Sequence, residues 1–307
     1  MKPKKIHLAA VALISLVALL GYPSHAVTLI DTNLNDGSFN AISDQGSIGG
    51  SPLGGDTIAR LGAGPWNGRA VGSLGVVAQP TVAVTPAQNG SISGLTSVAG
   101  LQNKGSLFQT LTGTSFQTNT FYTLSGNLTT VGLDVVALAN SGVVGVAISA
   151  GGTQGIAPTP GTDVATSTNA PSPLTLTLLS SSSNSANFTF GFVTGAAPAG
   201  DVGVRLFGGE RIGVVIASFS TVTFDNIKLT GERFTLVSSP IVTGPYLDDN
   251  NATFTQIGTA SSPNLVITKI QVVGGNVLID FLGASATYRA TTPVNGSIRF
   301  FQLKRTY

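Results

Sequence analysis

Apolar residues in this chain recur at every second position, and no other feature constrains its fold as strongly. Phe188, Phe190 and Phe192 alternate with Thr189 and Gly191. Val202, Val204 and Leu206 follow the same rule, as do Val277, Ile279 and Phe281. Residues two apart share one face of a strand, whereas a helix would need partners three and four apart. Similar runs are Val131, Leu133, Val135 and Ala137, and Leu174, Leu176 and Leu178. Helix-favouring Glu occurs only at Glu210 and Glu232, while β-branched and turn residues are abundant. The sequence therefore predicts an all-β chain. A sheet with one apolar face needs a second layer to cover it, so a β-sandwich is expected. Lys269 to Val273 and Val277 to Leu282, joined by Gly274-Gly275-Asn276, predict a hairpin.

The N-terminus reads as an export signal. Lys2, Lys4 and Lys5 precede an apolar run from Leu8 to Leu20, broken only by Ser15, and Ser24-His25-Ala26 offers small residues for cleavage. The run of 13 residues is short of the roughly 20 a spanning helix needs. Residues 1–26 are thus expected to be a signal peptide, with no membrane span after its removal and a secreted or cell-surface location. Removing 26 of 307 residues leaves 281, with neither histidine, and the chain has no cysteine. Three of 15 basic residues leave as well, so 12 face 13 acidic ones. Chemistry resting on imidazole or thiolate has no residues to use, and no basic surface invites nucleic acid.

Three stretches read as loops: Ser43 to Gly55, Gly151 to Pro173 and the polar Ser180 to Asn187. Residues 232–262 carry Pro240, Pro245 and Asp248-Asp249-Asn250-Asn251, and read as a linker. It divides a larger domain at 27–231 from a small C-terminal β-domain at 263–307, whose start could lie as early as Thr235.

In Val222-Thr-Phe-Asp-Asn-Ile-Lys-Leu229 the alternation slips by one residue at Asp225-Asn226. A β-bulge there would re-aim the Asp225 carboxylate; otherwise Asp225 faces water or begins a turn. This segment, together with Asn33-Leu-Asn-Asp-Gly-Ser-Phe-Asn40, resembles the paired end-motifs of carbohydrate-binding-module-like jelly rolls, the galactose-binding-like sandwiches of secreted bacterial proteins. The resemblance spans about Val27 to Gly231. It implies a jelly roll with its first and last strands side by side, and a structural calcium ion (Ca2+) held by Asp225 and Asn40. Where this chain has Asn40 the family often has Glu; calcium accepts amide oxygens too. The stretch from Ile267 to Gly283, with Ala286 to Arg289 and Ile298 to Phe301, is similar to small terminal β-domains of secreted bacterial proteins. Such domains imply modular or surface-displayed architecture.

Sugar binding on a sandwich usually uses an aromatic platform flanked by amide or guanidinium groups. Trp66 is the only tryptophan, and Gly64-Pro-Trp-Asn-Gly-Arg69 sets Asn67 and Arg69 beside it on a loop. The competing reading makes Trp66 a hydrophobic lid. Tyr122 reads as a core residue, and Asp248 to Asn251 as a solvated turn. Neither Glu210 nor Glu232 has the spacing that marks a glycosidase pair. The expectation is a non-catalytic, exported binding protein for a polysaccharide or cell-surface glycan. The alternative is a structural surface or matrix protein with β-domains as spacers or assembly units.

Overall fold

The computed structural model describes residues 26–32, 39, 44–74, 79–87, 89–98, 101–134, 144–167, 180–194, 197–209, 218–262, 264–284, 286–294 and 299–305. The fold is all-β, and among the described residues no α-helix occurs. Two compact units divide at Gly231 and Glu232.

The larger unit, Thr28–Gly231, is built from β1 (Val27–Asp31), β2 (Gly46–Gly49), β3 (Gly55–Arg60), β4 (Asn67–Gly72), β5 (Thr81–Val84), β6 (Gly90–Val98) and β7 (Leu101–Gln102). There follow β8 (Lys104–Ser115), β9 (Thr120–Asp134), β10 (Val144–Ala150), β11 (Thr162–Ser167), β12 (Ser180–Val193), β13 (Asp201–Gly208) and β14 (Ser218–Ser239), the last running past the boundary. One sheet has the order β12-β9-β14-β6-β5-β2, the other β11-β10-β13-β8-β4-β3. From β6 the chain crosses to the second sheet for β8, returns for β9, crosses for β10 and β11, returns for β12, crosses for β13 and returns for β14. Eight strands thus stand as β6-β14-β9-β12 against β8-β13-β10-β11, the interleaving of a jelly roll. Strands β5 and β2 widen one sheet, and β4 and β3 the other.

Alternating residues fill the space between the sheets. Ile92, Leu107, Leu124, Ile148, Val204, Leu206, Val222 and Phe224 are all buried there. Each such side chain stabilises the fold by about 1.5–3 kcal/mol relative to its exposed state. β1 pairs with β14, so the N-terminal strand does lie beside the last one. Just beyond it, Thr32 N donates to Ile227 O at 2.9 Å, and Ile227 N donates to Thr32 Oγ1 at 2.8 Å. The expected slip is present: Val222 and Phe224 point inward, and so do Ile227 and Leu229, with Asn226 at φ 53° between the two phases. Asn tolerates that left-handed conformation better than most residues. Gly126 on β9 makes room for it, since a Cβ there would sit 2.6 Å from Ile227 Cδ1 and 3.0 Å from Asp225 O.

Several local expectations are corrected. Val131 is 46% exposed, because Tyr122, Leu124, Leu128 and Thr130 fix the phase of the whole of β9 and turn Val131 outward. Ser180 to Asn187 belongs to β12, paired residue for residue with β9; the Thr129 and Ser185 hydroxyls hydrogen-bond across the pair at 2.9 Å. Since β12 is the edge strand, Phe188, Phe190 and Phe192 are packed against the core but only half-buried. The loop reading of Gly151 to Pro173 misses β11, and that of Ser43 to Gly55 misses β2. Residues 174–178 lie outside the described residues.

The smaller unit begins at Glu232, so the expected linker 232–262 is part of a domain. It contains the end of β14, then β15 (Leu247–Asp248) and β16 (Thr253–Gly258), followed by β17 (Val266–Val273), β18 (Asn276–Leu282), β19 (Thr287–Pro293) and β20 (Phe300–Arg305). One sheet is β16-β19-β18-β17; in the other, β14 pairs with β15 and with β20. Phe234 joins the two layers, 4.9 Å from the rings of both Phe281 and Tyr288. The β17–β18 hairpin closes on Gly274 and Gly275, at φ 57° and 77°, as expected from their lack of a Cβ. Glu232 is buried: its carboxylate lies 3.1 Å from Arg305 Nη2 and accepts from Tyr288 Oη at 2.9 Å and Ala284 N at 2.7 Å. The expected solvated turn is present, with Asp248, Asn250 and Asn251 exposed, but its second residue is tied inward. Asp249 accepts from Thr292 Oγ1 at 2.8 Å and Asn251 N at 3.1 Å.

Candidate functional site

Alternation around β4 separates the three residues expected to form a sugar platform. Trp66, just before the strand, points inward; it is 0% exposed and stacks on Phe39 at 5.3 Å with the planes 24° apart. The ring offers no face to a ligand, and the lid reading of Trp66 is the one the structure supports. Phe39 belongs to the N-terminal motif, so the two aromatic residues of these segments are spent on one internal stack. Arg60 steadies the intervening turn, donating from Nε to Gly64 O at 2.9 Å and from Nη2 to Ala63 O.

Asn67 and Arg69 point to the opposite side of the sheet, because Gly68 and Ala70 face the core. Strand register then shows what shares that outer face. One row runs Ile58, Arg69, Ser106, Phe207, Gly145 across β3, β4, β8, β13 and β10. The next runs Arg60, Asn67, Phe108, Arg205, Ala147. The middle of the face is covered: Phe108 and Phe207 are each 1% exposed. Part of the cover is the Gly151–Gly161 segment, where Gln154 accepts from Asn67 Nδ2 and donates to Thr110 O at 3.0 Å.

Two ion pairs stand on either side of this covered strip. Toward β3, Arg69 Nε donates to both oxygens of Asp56 at 3.1 and 2.8 Å, and the side chains are 40% and 37% exposed. Toward β11, Arg205 grips Asp163 through Nε at 3.0 and 3.1 Å and through Nη2, with side chains 14% and 23% exposed. The Arg205 guanidinium carbon also lies 4.1 Å from the centre of the Phe207 ring, a cation–π contact. A paired guanidinium keeps unused N–H donors, and its carboxylate keeps unused lone pairs, so each pair can both give and take hydrogen bonds.

The expected calcium residues lie elsewhere. Asp225 sits at the phase slip in β14, half-buried, accepting from Asn226 N at 2.7 Å and from Asn226 Nδ2 at 3.4 Å. Among the described residues both partners are its own neighbour, which leaves acceptor capacity for a cation. Nearby in sequence to the β1 end, Asp31 pairs with Lys228 at 3.5 Å. Asn40 lies outside the described residues. Among the described residues no group of three or more His, Cys, Asp or Glu converges as a metal cluster.

Asp56, Asp163 and Arg205 were not anticipated. Arg205 was within reach, since alternation of Val204 and Leu206 inward forces it outward. Asp163 was hidden by the Gly, Thr and Pro residues that made its strand resemble a loop. A scan of the chain against protein-family models finds no match, and a search of the curated proteins finds none.

Proposed function

We propose that the chain is an exported, non-catalytic binding protein whose jelly roll engages a glycan and carries a structural calcium ion at Asp225. The observation supporting the glycan reading is the placement of Arg69–Asp56 and Arg205–Asp163 on one sheet face. A sugar hydroxyl is both donor and acceptor, and each ion pair supplies both. Because each pair is locally neutral, the favoured ligand is an uncharged polysaccharide. Arg69 and Asp56 are the accessible members and would make the first contacts; Asn67 positions Gln154 beside them. Asp225 supports the calcium reading, since oxygen ligands suit the ion and its carboxylate stands where the first and last strands meet. Bound calcium would supply a cross-link at that junction.

The test is calorimetric titration of the chain from Val27 onward with a panel of neutral and acidic polysaccharides. Binding to a neutral glycan is expected, weakened about tenfold or more by Arg69→Ala, a loss of about 1.4 kcal/mol. Trp66→Ala should lower the unfolding midpoint while leaving the affinity of the remaining folded protein unchanged. Absence of heat with every polysaccharide would sink the glycan reading. A calcium-dependent rise in midpoint, lost in Asp225→Ala, checks the metal separately. A structural role with the β-domains as assembly units draws on a different observation, the open edge of the smaller sandwich.

A further inference from the structure

We infer that two copies of the chain join edge to edge through β17, which makes the smaller domain a dimerisation module independent of any glycan site. β17 ends the β16-β19-β18-β17 sheet and, among the described residues, pairs on one side only. An open edge presents a row of unpaired N–H and C=O groups, a template for another strand. Which residues present them follows from the hairpin. Its two-residue Gly274-Gly275 turn makes Val273 and Asn276 the closing hydrogen-bonded pair. Alternation then directs the backbone groups of Val273, Gln271 and Lys269 toward β18, and those of Val272 and Ile270 outward.

The register of a second copy is equally constrained. A bulge lies between Ile267 and Lys269, leaving the regular stretch Lys269–Val273. An antiparallel copy that uses all of it is centred on Gln271. Ile270 then meets Val272 of the partner twice, through the outward-directed backbone groups, and Gln271 meets Gln271 on the two-fold axis. The side chains agree with this register. Ile270 and Val272 pair with Ile279 and Val277, whose side chains fill the interior, so they stand on the inward face. Val272 is nevertheless 49% exposed there. Pairing would place Ile270 of one copy against Val272 of the other and continue the apolar face across the axis. The usual safeguard of an edge, a lysine, does not oppose it. Lys269 opposes Asp280 on β18, which it attracts, and in this register it faces Val273 rather than its own copy. The contact is isologous, as two-fold symmetry requires.

The absence of cysteine makes a direct test possible. Gln271→Cys places two thiols on the axis, at a strand separation a disulfide can span. Air oxidation of the folded chain should yield a covalent dimer, while Thr255→Cys on the opposite edge strand, β16, should remain monomeric. Light scattering of the cysteine-free protein should give twice the chain mass at high concentration. Val272→Lys should return it to a monomer, with near-ultraviolet dichroism checking that the fold survives. A monomer at every concentration, or cross-linking as fast at Thr255→Cys as at Gln271→Cys, overturns the proposal.

Discussion

The two units differ in whether an ion pair is buried. In the larger one, the ion pairs Arg69–Asp56 and Arg205–Asp163 lie on the outer side of a sheet, and the interior is an apolar cluster closed by the Phe39–Trp66 stack. In the smaller one, Glu232 and Arg305 are buried beside the rings of Phe234, Phe281 and Tyr288. A larger domain buries a greater fraction of its surface and can rely on apolar area alone. The small domain gains little net stability from an ion pair, because desolvation offsets most of the attraction. What the pair can do is fix an arrangement: Glu232 contacts β20 through Arg305, β19 through Tyr288 and the turn at Ala284. Only one docking of those elements satisfies all three.

The largest effect should come from breaking that arrangement. Glu232→Ala removes the carboxylate that Arg305, Tyr288 and the Ala284 amide share, and should cost the smaller unit about 3–5 kcal/mol, read as a shifted transition in urea unfolding. The combined change Glu232→Leu with Arg305→Met should recover most of that loss, since a buried ion pair is often replaced by apolar residues at no cost. If the double variant is as unstable as the single one, the pair contributes stability rather than specificity, and the contrast between the units fails.

A smaller effect is expected where the larger unit does use a buried polar contact. Thr32 is buried, and its hydroxyl accepts from Ile227 N across 195 positions of sequence. Thr32→Val preserves shape but orphans that amide, which should cost about 1–3 kcal/mol, with slower hydrogen exchange at Ile227 in the parent as the matching readout. An unchanged stability would mean that the ladder of β1 on β14 holds the junction without the hydroxyl.

Much of this architecture was legible in the sequence. The all-β class, the boundary at Gly231, the slip at Asp225-Asn226 and the Gly-Gly hairpin all follow from short-range pattern, which local sterics enforce. The failures share a cause. At Val131 the local pattern agreed with a strand but chose the wrong face, because phase is set by the full length of β9. Ser180 to Asn187 looked like a turn because its residues are polar; on an outer face or at an edge, polarity does not stop a strand. For Trp66 the sequence allows both a sugar platform and a hydrophobic lid; the structure takes the lid, and the stack with Phe39 that decides it depends on a residue 27 positions away. The outer face of the six-stranded sheet is assembled from β3, β4, β8, β13, β10 and β11, and no local window contains it.

The smallest effect concerns Asp280. Arg289, opposite it on β19, donates from Nε at 2.6 Å and from Nη2 at 2.9 Å. These hydrogen bonds, and then the charges of Arg289 and Lys269, hold the Asp280 carboxyl below its ordinary value against the opposing effect of burial. A depressed carboxylate favours the folded state above the unfolded pKa and loses that contribution as pH falls through the folded one. The stabilisation should therefore be constant near neutrality and disappear below about pH 4, where carboxylates in unfolded chains begin to bind protons. Asp280→Asn keeps the shape and removes the charge. Its midpoint should lie slightly below that of the parent at pH 7 and converge with it in acid. The pair spans the two central strands, with the Arg289 side chain 32% exposed and that of Asp280 11%, so raising the salt concentration should narrow the gap only in part at neutral pH. A gap that persists unchanged in acid would mean that the amide disturbs packing around Arg289, and that the charge itself contributes nothing. Glu232, whose pair with Arg305 is buried on both sides, should respond to salt hardly at all, and measuring both variants in one titration separates a partly exposed ionic contact from a fully buried one.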